Sequence, residues 1–202
     1  MGGTSRHVLL ALVALPLIAA PQEYACKDAN DCTEALRLGL PGSLEKLTEL
    51  AEGGDAEAQV RLSTYYLGGL KTPSQPSGDS WLQGTKWMMR AAYQGHPVAL
   101  HRFALTLDGA ERLRLLLLAA EQDDGAAQLD LAYFYLDKSD FVQFRKWFQL
   151  AVRKLPEQFR NDGPSAERLK AMTPAQQVEG DRLAQEWTPK TWNELRAYED
   201  AK

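Results

Sequence analysis

The chain has 202 residues, of which 45% are hydrophobic and 25% charged, with 15 Gly and 10 Pro. These proportions are those of a globular chain with one or two domains and a sizeable core, so they exclude a disulfide-stapled miniprotein, a disordered chain and a collagen-like chain. The 23 Lys and Arg residues against 27 Asp and Glu give a net charge of −4. This charge provides no basic field that would gather phosphates, so we do not expect a nucleic-acid partner.

The first predicted element is an export signal. Arg6 precedes thirteen uncharged residues, 8–20. The run is shorter than the roughly 20 apolar residues that a spanning helix needs, so we expect a signal peptide over residues 1–20, cleaved between positions 19 and 25. The residues directly before Cys26 disfavour its acylation, which makes a lipoprotein the lesser alternative. The expected location is therefore periplasmic or secreted, without a stable membrane span after cleavage.

The chain has two cysteines, Cys26 and Cys32, and both lie in an N-terminal segment over residues 21–42. An oxidising compartment would favour a disulfide between them. Because the loop it closes is short, this bond should contribute only about 2 kcal/mol. Two free thiols, or a weak metal pair without further ligands, are the alternatives.

An internal repeat occupies residues 43–154. Ala51, Gly54, Ala58, Leu62 and Tyr66 form the series A-x-x-G-x-x-x-A-x-x-x-L-x-x-x-Y, which returns 41 residues later and again after 28 more. A second series precedes or follows each copy. In the first series, the second copy consists of Ala92, Gly95, Ala99, Phe103 and Leu107, and the third copy consists of Ala120, Asp123, Ala127, Leu131 and Tyr135. The large residues of the second series are Trp87, Leu115 and Trp147.

The spacing predicts two helices in each unit. Ala58, Leu62 and Tyr66 follow i, i+4 steps, which place them on one helical face. Small alanines at a helix crossing let two helices approach closely, and Gly54 and Gly95 fit the helix-ending position that needs a left-handed backbone. A single pair cannot bury its apolar stripe, whereas stacked pairs share a continuous core.

These residues resemble the Sel-one-like repeat (SLR), a tetratricopeptide-related helix-turn-helix repeat. Its hallmark A-x-x-G-x-x-x-A-Q-x-x-L-x-x-x-Y is nearly whole in residues 51–66, and RAAYQGH resembles the end of a second helix. Ser63 stands where the family favours Gly, and Leu100 and Leu107 replace Gln and Tyr in the middle unit. MTPAQQVEGDRLAQEW, residues 172–187, resembles the capping helix that often follows such repeats. The resemblance implies an all-α, right-handed solenoid of about three units with a C-terminal capping helix.

The rest of the chain divides around these repeats. An exposed loop is predicted over residues 68–80, which are rich in Gly, Pro and Ser, and a linker over residues 155–173. Residues 174–202 are a C-terminal helix and tail, with Thr173 as N-cap before a first-turn Pro174. The predicted helices cover residues 43–51, 56–67, 81–94, 98–107, 110–121, 125–136, 141–154 and 174–187. The first of these is expected to be the second helix of a degenerate opening unit that begins near Cys32.

The chain after the export signal has little catalytic chemistry. His96 is expected to be a solvated turn residue, and His101, five positions later, lacks the i, i+4 spacing of a helical zinc site. Asp123 and Asp124 are explained as the cap of the next helix. With no nucleophile motif and no phosphate-binding loop, the sequence predicts no catalytic residue, no metal and no cofactor.

Aromatic residues divide into two groups. Those at repeat positions are expected to pack in the core: Tyr66, Trp87, Phe103, Tyr135 and Trp147. A second group lies on the neighbouring flank of the first helices, which stacked units present to a partner. This predicted partner-binding set is Arg61, Tyr65, Arg102, Thr106, Asp130 and Phe134. The alternative is an ordinary solvated helix face that happens to carry an aromatic residue.

We therefore expect a non-catalytic protein-protein interaction module. The resemblance to small exported SLR proteins further implies an immunity role, in which the chain neutralises a toxic effector such as a lipase delivered by a type VI secretion system. One alternative is an envelope enzyme acting on cell-wall or β-lactam ligands, with which some secreted relatives of the family are associated. The other is an adaptor for envelope assembly or signalling.

Overall fold

A computed structural model describes residues 24–73, 79–154, 164 and 166–200, and within these residues the only regular secondary structure is helical. The predicted signal peptide lies outside the described residues. The helices are α1 (Ala29–Arg37), α2 (Ser43–Glu52), α3 (Ala56–Tyr66), α4 (Ser80–Tyr93), α5 (Pro97–Ala104), α6 (Gly109–Glu121), α7 (Gly125–Asp137), α8 (Phe141–Lys154), α9 (Ala166–Leu169), α10 (Pro174–Glu186) and α11 (Trp192–Asp200).

From α1 to α8, each helix packs against the next in the sequence. The pairs α3–α4, α5–α6 and α7–α8 are the three predicted helix-turn-helix units, and α10 packs on α8 after them. This serial packing is that of an α-solenoid, as the repeat spacing predicts. Arg145 of α8 fixes α10 through a two-bond ion pair with Asp181, with donor-acceptor distances of 2.6 and 3.1 Å.

Small residues lie at the crossings of the first helices with their neighbours. Ala58, Ala99 and Ala127 are completely buried, and Leu62 and Leu131 fill the space beside two of them. Trp87 and Trp147 are also buried, which confirms their assignment to the core. Apolar burial of this kind contributes about 25 cal/mol per Å² and is what holds successive units together.

The turns between units follow one pattern. Gly54, Gly95 and Asp123 each adopt a positive φ, +96°, +80° and +70°, so the left-handed turn predicted for the two glycines is confirmed and an aspartate takes it in the third unit. The next residue caps the following helix: Asp55 accepts a hydrogen bond from the Ala58 N–H, and Asp124 accepts one from the Ala127 N–H. The predicted cap of α7 is therefore Asp124.

The middle unit departs from this pattern where its sequence does. Gln59 and Gln128 are buried and each donates a hydrogen bond to the carbonyl of the alanine eight residues earlier, Ala51 and Ala120. The equivalent Leu100 is buried and has no such donor to offer.

The N-terminal segment is more ordered than predicted. Cys26 and Cys32 form the expected disulfide, and both cysteines are buried in a core cluster with Leu36 of α1 and Leu47 of α2. The opening unit was expected to begin near Cys32 without defined helix bounds, and its first helix α1 begins at Ala29. Asp28 caps α1 by accepting bonds from the N–H groups of Asn30 and Asp31.

Two further expectations need correction. The loop after α3 is not uniformly exposed, because Leu70 is only 2% accessible and packs in the N-terminal core; residues 74–78 lie outside the described ones. The predicted linker contains the short helix α9, and the predicted tail contains α11. Thr173 and Gln176 form a capping box at the start of α10, which confirms the predicted N-cap. Within the described residues, no helix has the length and apolarity needed to cross a membrane.

Candidate partner-binding surface

The helices α3, α5 and α7 begin at equivalent N-caps, Asp55, His96 and Asp124, so their side chains can be compared position by position. Several positions of these helices, and the C-cap of α5, carry side chains that are more accessible than the buried rows. We call the following residues the first-helix face: Glu57, Arg61, Arg102, Leu105, Asp130, Tyr133 and Phe134. All of them are half-buried or exposed, and Leu105 is 51% accessible.

One end of this face carries an ion-pair network. Arg61 donates a 2.6 Å hydrogen bond from Nε to Glu57 Oε1, and His96 Nε2 lies 2.9 Å from the other oxygen of the same carboxylate. The hydrogen bond with His96, and then the charge of Arg61, lower the pKa of Glu57 against the opposing effect of its partial burial. His96 is therefore a bonded residue that joins α5 to α3, and the prediction of a solvated turn residue is wrong.

His101 makes the equivalent connection to the third unit. Its Nε2 atom lies 2.9 Å from Asp130 Oδ2, and its Nδ1 atom lies 3.8 Å from Asp124 Oδ1. The His101 side chain is 13% accessible, whereas that of Asp130 is 35% accessible. The Asp130 carboxylate is therefore accessible at the surface and is bound on its buried side by the imidazole of His101. The two histidines of α5 thus fix acidic side chains on both neighbouring first helices.

A cleft of about 390 Å³ opens beside this face between α6 and α7. Asp130 and Phe134 of the predicted set lie in its wall, together with Tyr133 and with Arg112 of α6. Phe134 packs edge-on against Tyr135, with ring centroids 5.4 Å apart, and the Lys138 ammonium lies 5.9 Å from its ring. The cleft combines aromatic surface with charged side chains of both signs.

Tyr65 does not belong to this face, and its prediction as an exposed residue is wrong. Its side chain is 4% accessible and packs edge-on against Tyr66, which the sequence analysis had placed in the core and which is only half-buried. The reason is α1, which packs on α3 and puts Leu36 in the same core cluster as Tyr65. Burial accordingly raises the pKa of the Tyr65 phenol.

The remaining predicted contacts are accessible. Arg102 on α5 and Thr106 in the turn after it are exposed, and the Thr106 hydroxyl donates a hydrogen bond to the Phe103 carbonyl. Sequence reasoning did not select Leu105 or Tyr133, which occupy equivalent positions next to the selected ones. The signal that could have identified these two residues is their apolar character at the same position of the repeat in two units.

The arrangement offers limited chemistry for catalysis. His101 has two carboxylate neighbours, but it is nearly enclosed and is absent from the lining of the α6–α7 cleft. In the part of the chain that the structure describes, no three His, Cys, Asp or Glu side chains are grouped so as to hold a metal ion.

The serial packing of helix pairs is that of an SLR-type α-solenoid. Among solved structures, the crystal structure of c5321, a protective antigen present in uropathogenic Escherichia coli strains displaying an SLR fold, is similar to it, with a TM-score of 0.59 and 22% sequence identity. The match covers 84% of this chain and 40% of that chain. No protein-family model and no curated protein matches the sequence.

Proposed function

We propose that the chain is an exported protein-binding module that recognises another protein through the first-helix face and the α6–α7 cleft. The observation that carries the proposal is the placement of Asp130 and Phe134 in the wall of one cleft, with the carboxylate held by His101. Protein-protein interfaces draw most of their affinity from a few residues, often aromatic or charged, that lie in such a depression. The Cys26–Cys32 disulfide supports an extracytoplasmic location, because such bonds persist in oxidising compartments.

The particular role proposed is immunity: the chain neutralises a type VI lipase-type effector that reaches the periplasm. A small exported repeat module without an evident reaction centre suits the capping of a toxin. Its mild acidity fits such a task as well, because a net charge of −4 provides no basic field that would draw the chain to nucleic acid.

The test has two stages. The tagged chain is first used to capture its partner from the envelope of the producing bacterium, and the partner is identified by mass spectrometry and purified. Its affinity for Phe134→Ala is then measured by calorimetry beside that for Trp81→Ala, which removes an aromatic residue that is 70% accessible on α4. We expect Phe134→Ala to weaken binding at least about tenfold, which corresponds to about 1.4 kcal/mol, and Trp81→Ala to leave it unchanged.

Growth decides the biological role. Cells that direct the effector to the periplasm should survive when they also export this chain, and should die when they export the Phe134→Ala variant at the same level. An envelope assembly component recovered in place of a toxin would support the adaptor alternative. Turnover of a cell-wall or β-lactam substrate that disappears with His101→Ala would support the enzyme alternative.

A further inference from the structure

The C-terminal residues form a feature that the proposed function does not use. After α10, residues 187–195 run back along the edge of the solenoid, past the turn that follows α6 and then past the turn that follows α4. We call residues 187–195 the C-terminal strap. It leaves the unit on which α10 packs and reaches the middle unit of the solenoid.

Glu121, the last residue of α6, anchors the first half of the strap. Its carboxylate accepts a 3.0 Å hydrogen bond from the Trp187 indole N–H and lies 3.1 Å from the Lys190 ammonium. The Glu121 carbonyl also accepts a 2.7 Å hydrogen bond from the Lys190 backbone N–H. Glu121 thus binds Lys190 twice, through its nearly enclosed carboxylate to the ammonium and through its backbone carbonyl to the main-chain N–H.

A second lysine shares this carboxylate. Lys146 of α8 lies 4.0 Å from Glu121 and over the Trp147 ring, and burial lowers its pKa, with the charge of Lys190 acting in the same direction and Glu121 opposing both. Glu121 therefore faces two ammonium groups, with that of Lys190 the nearer.

Trp192 anchors the second half of the strap on Gly95. A Cβ atom at Gly95 would lie 2.0 Å from the Trp192 ring, so the indole occupies the space that only glycine leaves open. The same ring is one wall of an apolar cavity of about 210 Å³ between α4, α5 and α6, whose other walls include Met89, Leu100 and Leu115. Tyr93, 78% accessible, lies at its rim. The indole lines this open cavity and does not fill it.

We propose that this edge is a peptide-binding surface, and that the C-terminal strap is its intramolecular occupant. The external occupant is a segment of another protein that carries a lysine two residues before a tryptophan, the arrangement of Lys190 and Trp192. The lysine pairs its ammonium with the Glu121 carboxylate and donates its backbone N–H to the Glu121 carbonyl. The tryptophan packs its ring in the space over Gly95. The surface is separate from the first-helix face, and the proposal does not depend on the proposed function.

The occupant is inferred from the contacts that the strap itself makes. Each of its two anchor side chains meets a feature matched to it, a carboxylate for the ammonium and a bare glycine turn for the ring. The open remainder of the cavity, next to an exposed tyrosine, leaves room for a larger apolar contact than the strap provides. An external segment can therefore compete by adding contacts that the strap lacks.

The test uses the full chain and a fluorescent peptide, WTPKTWNELRA, which contains the strap and the next two residues of the chain. Binding is measured by anisotropy to the wild-type chain, to a released variant with Lys190→Ala and Trp192→Ala, and to Trp81→Ala as a matched control. We expect the released variant to bind the peptide at least about tenfold more tightly than the wild type and the control do. A peptide with glutamate for the lysine and alanine for the second tryptophan should not bind.

Glu121→Gln in the released variant should weaken binding of the original peptide, because the ammonium then loses its countercharge. Should the released variant fail to give a wild-type circular-dichroism spectrum, hydrogen exchange of the wild-type chain replaces it, and excess peptide should speed exchange of the Lys190 amide as the strap is displaced. Equal peptide affinity for the released variant and the wild type, or exchange at Lys190 that does not respond to peptide, would overturn the proposal.

Discussion

Replacing Gly95 by alanine should destabilise the protein more than the same change at Gly54, although both glycines occupy equivalent turns. Both have a positive φ, so an added Cβ carries the left-handed penalty of about 1 to 2 kcal/mol at either position. At Gly54 no atom lies within 4 Å of the new Cβ. The penalty there should be the whole effect.

At Gly95 the Cβ would lie 2.0 Å from the Trp192 ring, so the rigid indole would have to be displaced from its packed position. Burying a large apolar side chain completely contributes about 1.5 to 3 kcal/mol, and Trp192 is half-buried, so its loss should add about 1 to 2 kcal/mol. Gly95→Ala should therefore lower the free energy of unfolding by about 2 to 4 kcal/mol.

Urea unfolding followed by circular dichroism gives both values. The two glycine changes are repeated in the Trp192→Ala background, where there is no ring to displace. In that background Gly95→Ala should fall to the value for Gly54→Ala, which isolates the coupling between Gly95 and Trp192. Equal effects of the two glycine changes in the wild-type background would refute the packing of the strap on this turn.

Three other perturbations test other parts of the fold. Ala99→Leu should overpack a completely buried helix crossing and lower the free energy of unfolding by about 1 to 3 kcal/mol, whereas Leu105→Ala on the accessible face should change it by less than about 0.5 kcal/mol. Equal values for the two variants in urea unfolding would contradict the register of α5. Reduction of the Cys26–Cys32 disulfide should lower stability by about 2 kcal/mol, and intact mass after alkylation should show two added groups only in the reduced sample. The folded-state pKa of Glu57 is lowered, so its stabilising contribution is present above the ordinary glutamate pKa of about 4.3 and is lost as the pH falls through the folded-state pKa. Thermal melts of Glu57→Gln should therefore show a smaller loss of stability on acidification than melts of the wild type. Parallel losses in the two proteins would exclude this role of Glu57.

The repeat architecture could be predicted because its signals are local and periodic. Ala58, Ala99 and Ala127 recur at one step of the first helix, and small size at a crossing is a requirement that only a few residue types meet. The turn glycines and Asp124 carry equally direct signals, since a left-handed backbone and an N-cap each restrict the residue. These features need no knowledge of what lies across the fold.

The partner-binding set was harder to predict because exposure depends on neighbours that are distant in sequence. Tyr65 and Phe134 occupy equivalent positions, yet α1 covers the first, and α1 lies in a segment whose helix the repeat pattern does not include. The same limit applies to His96, whose bond to Glu57 joins residues 39 positions apart. The strap gave no periodic signal, since its anchors are single contacts to Glu121 and Gly95.

The most direct test of the account is the calorimetric affinity of the purified partner for Phe134→Ala relative to Trp81→Ala. The two variants each remove one aromatic side chain, but Phe134 lies in the α6–α7 cleft and Trp81 lies near the start of α4. Recognition through the cleft predicts that Phe134→Ala binds at least about tenfold more weakly while Trp81→Ala binds as the wild type does. Wild-type affinity for Phe134→Ala would contradict the account.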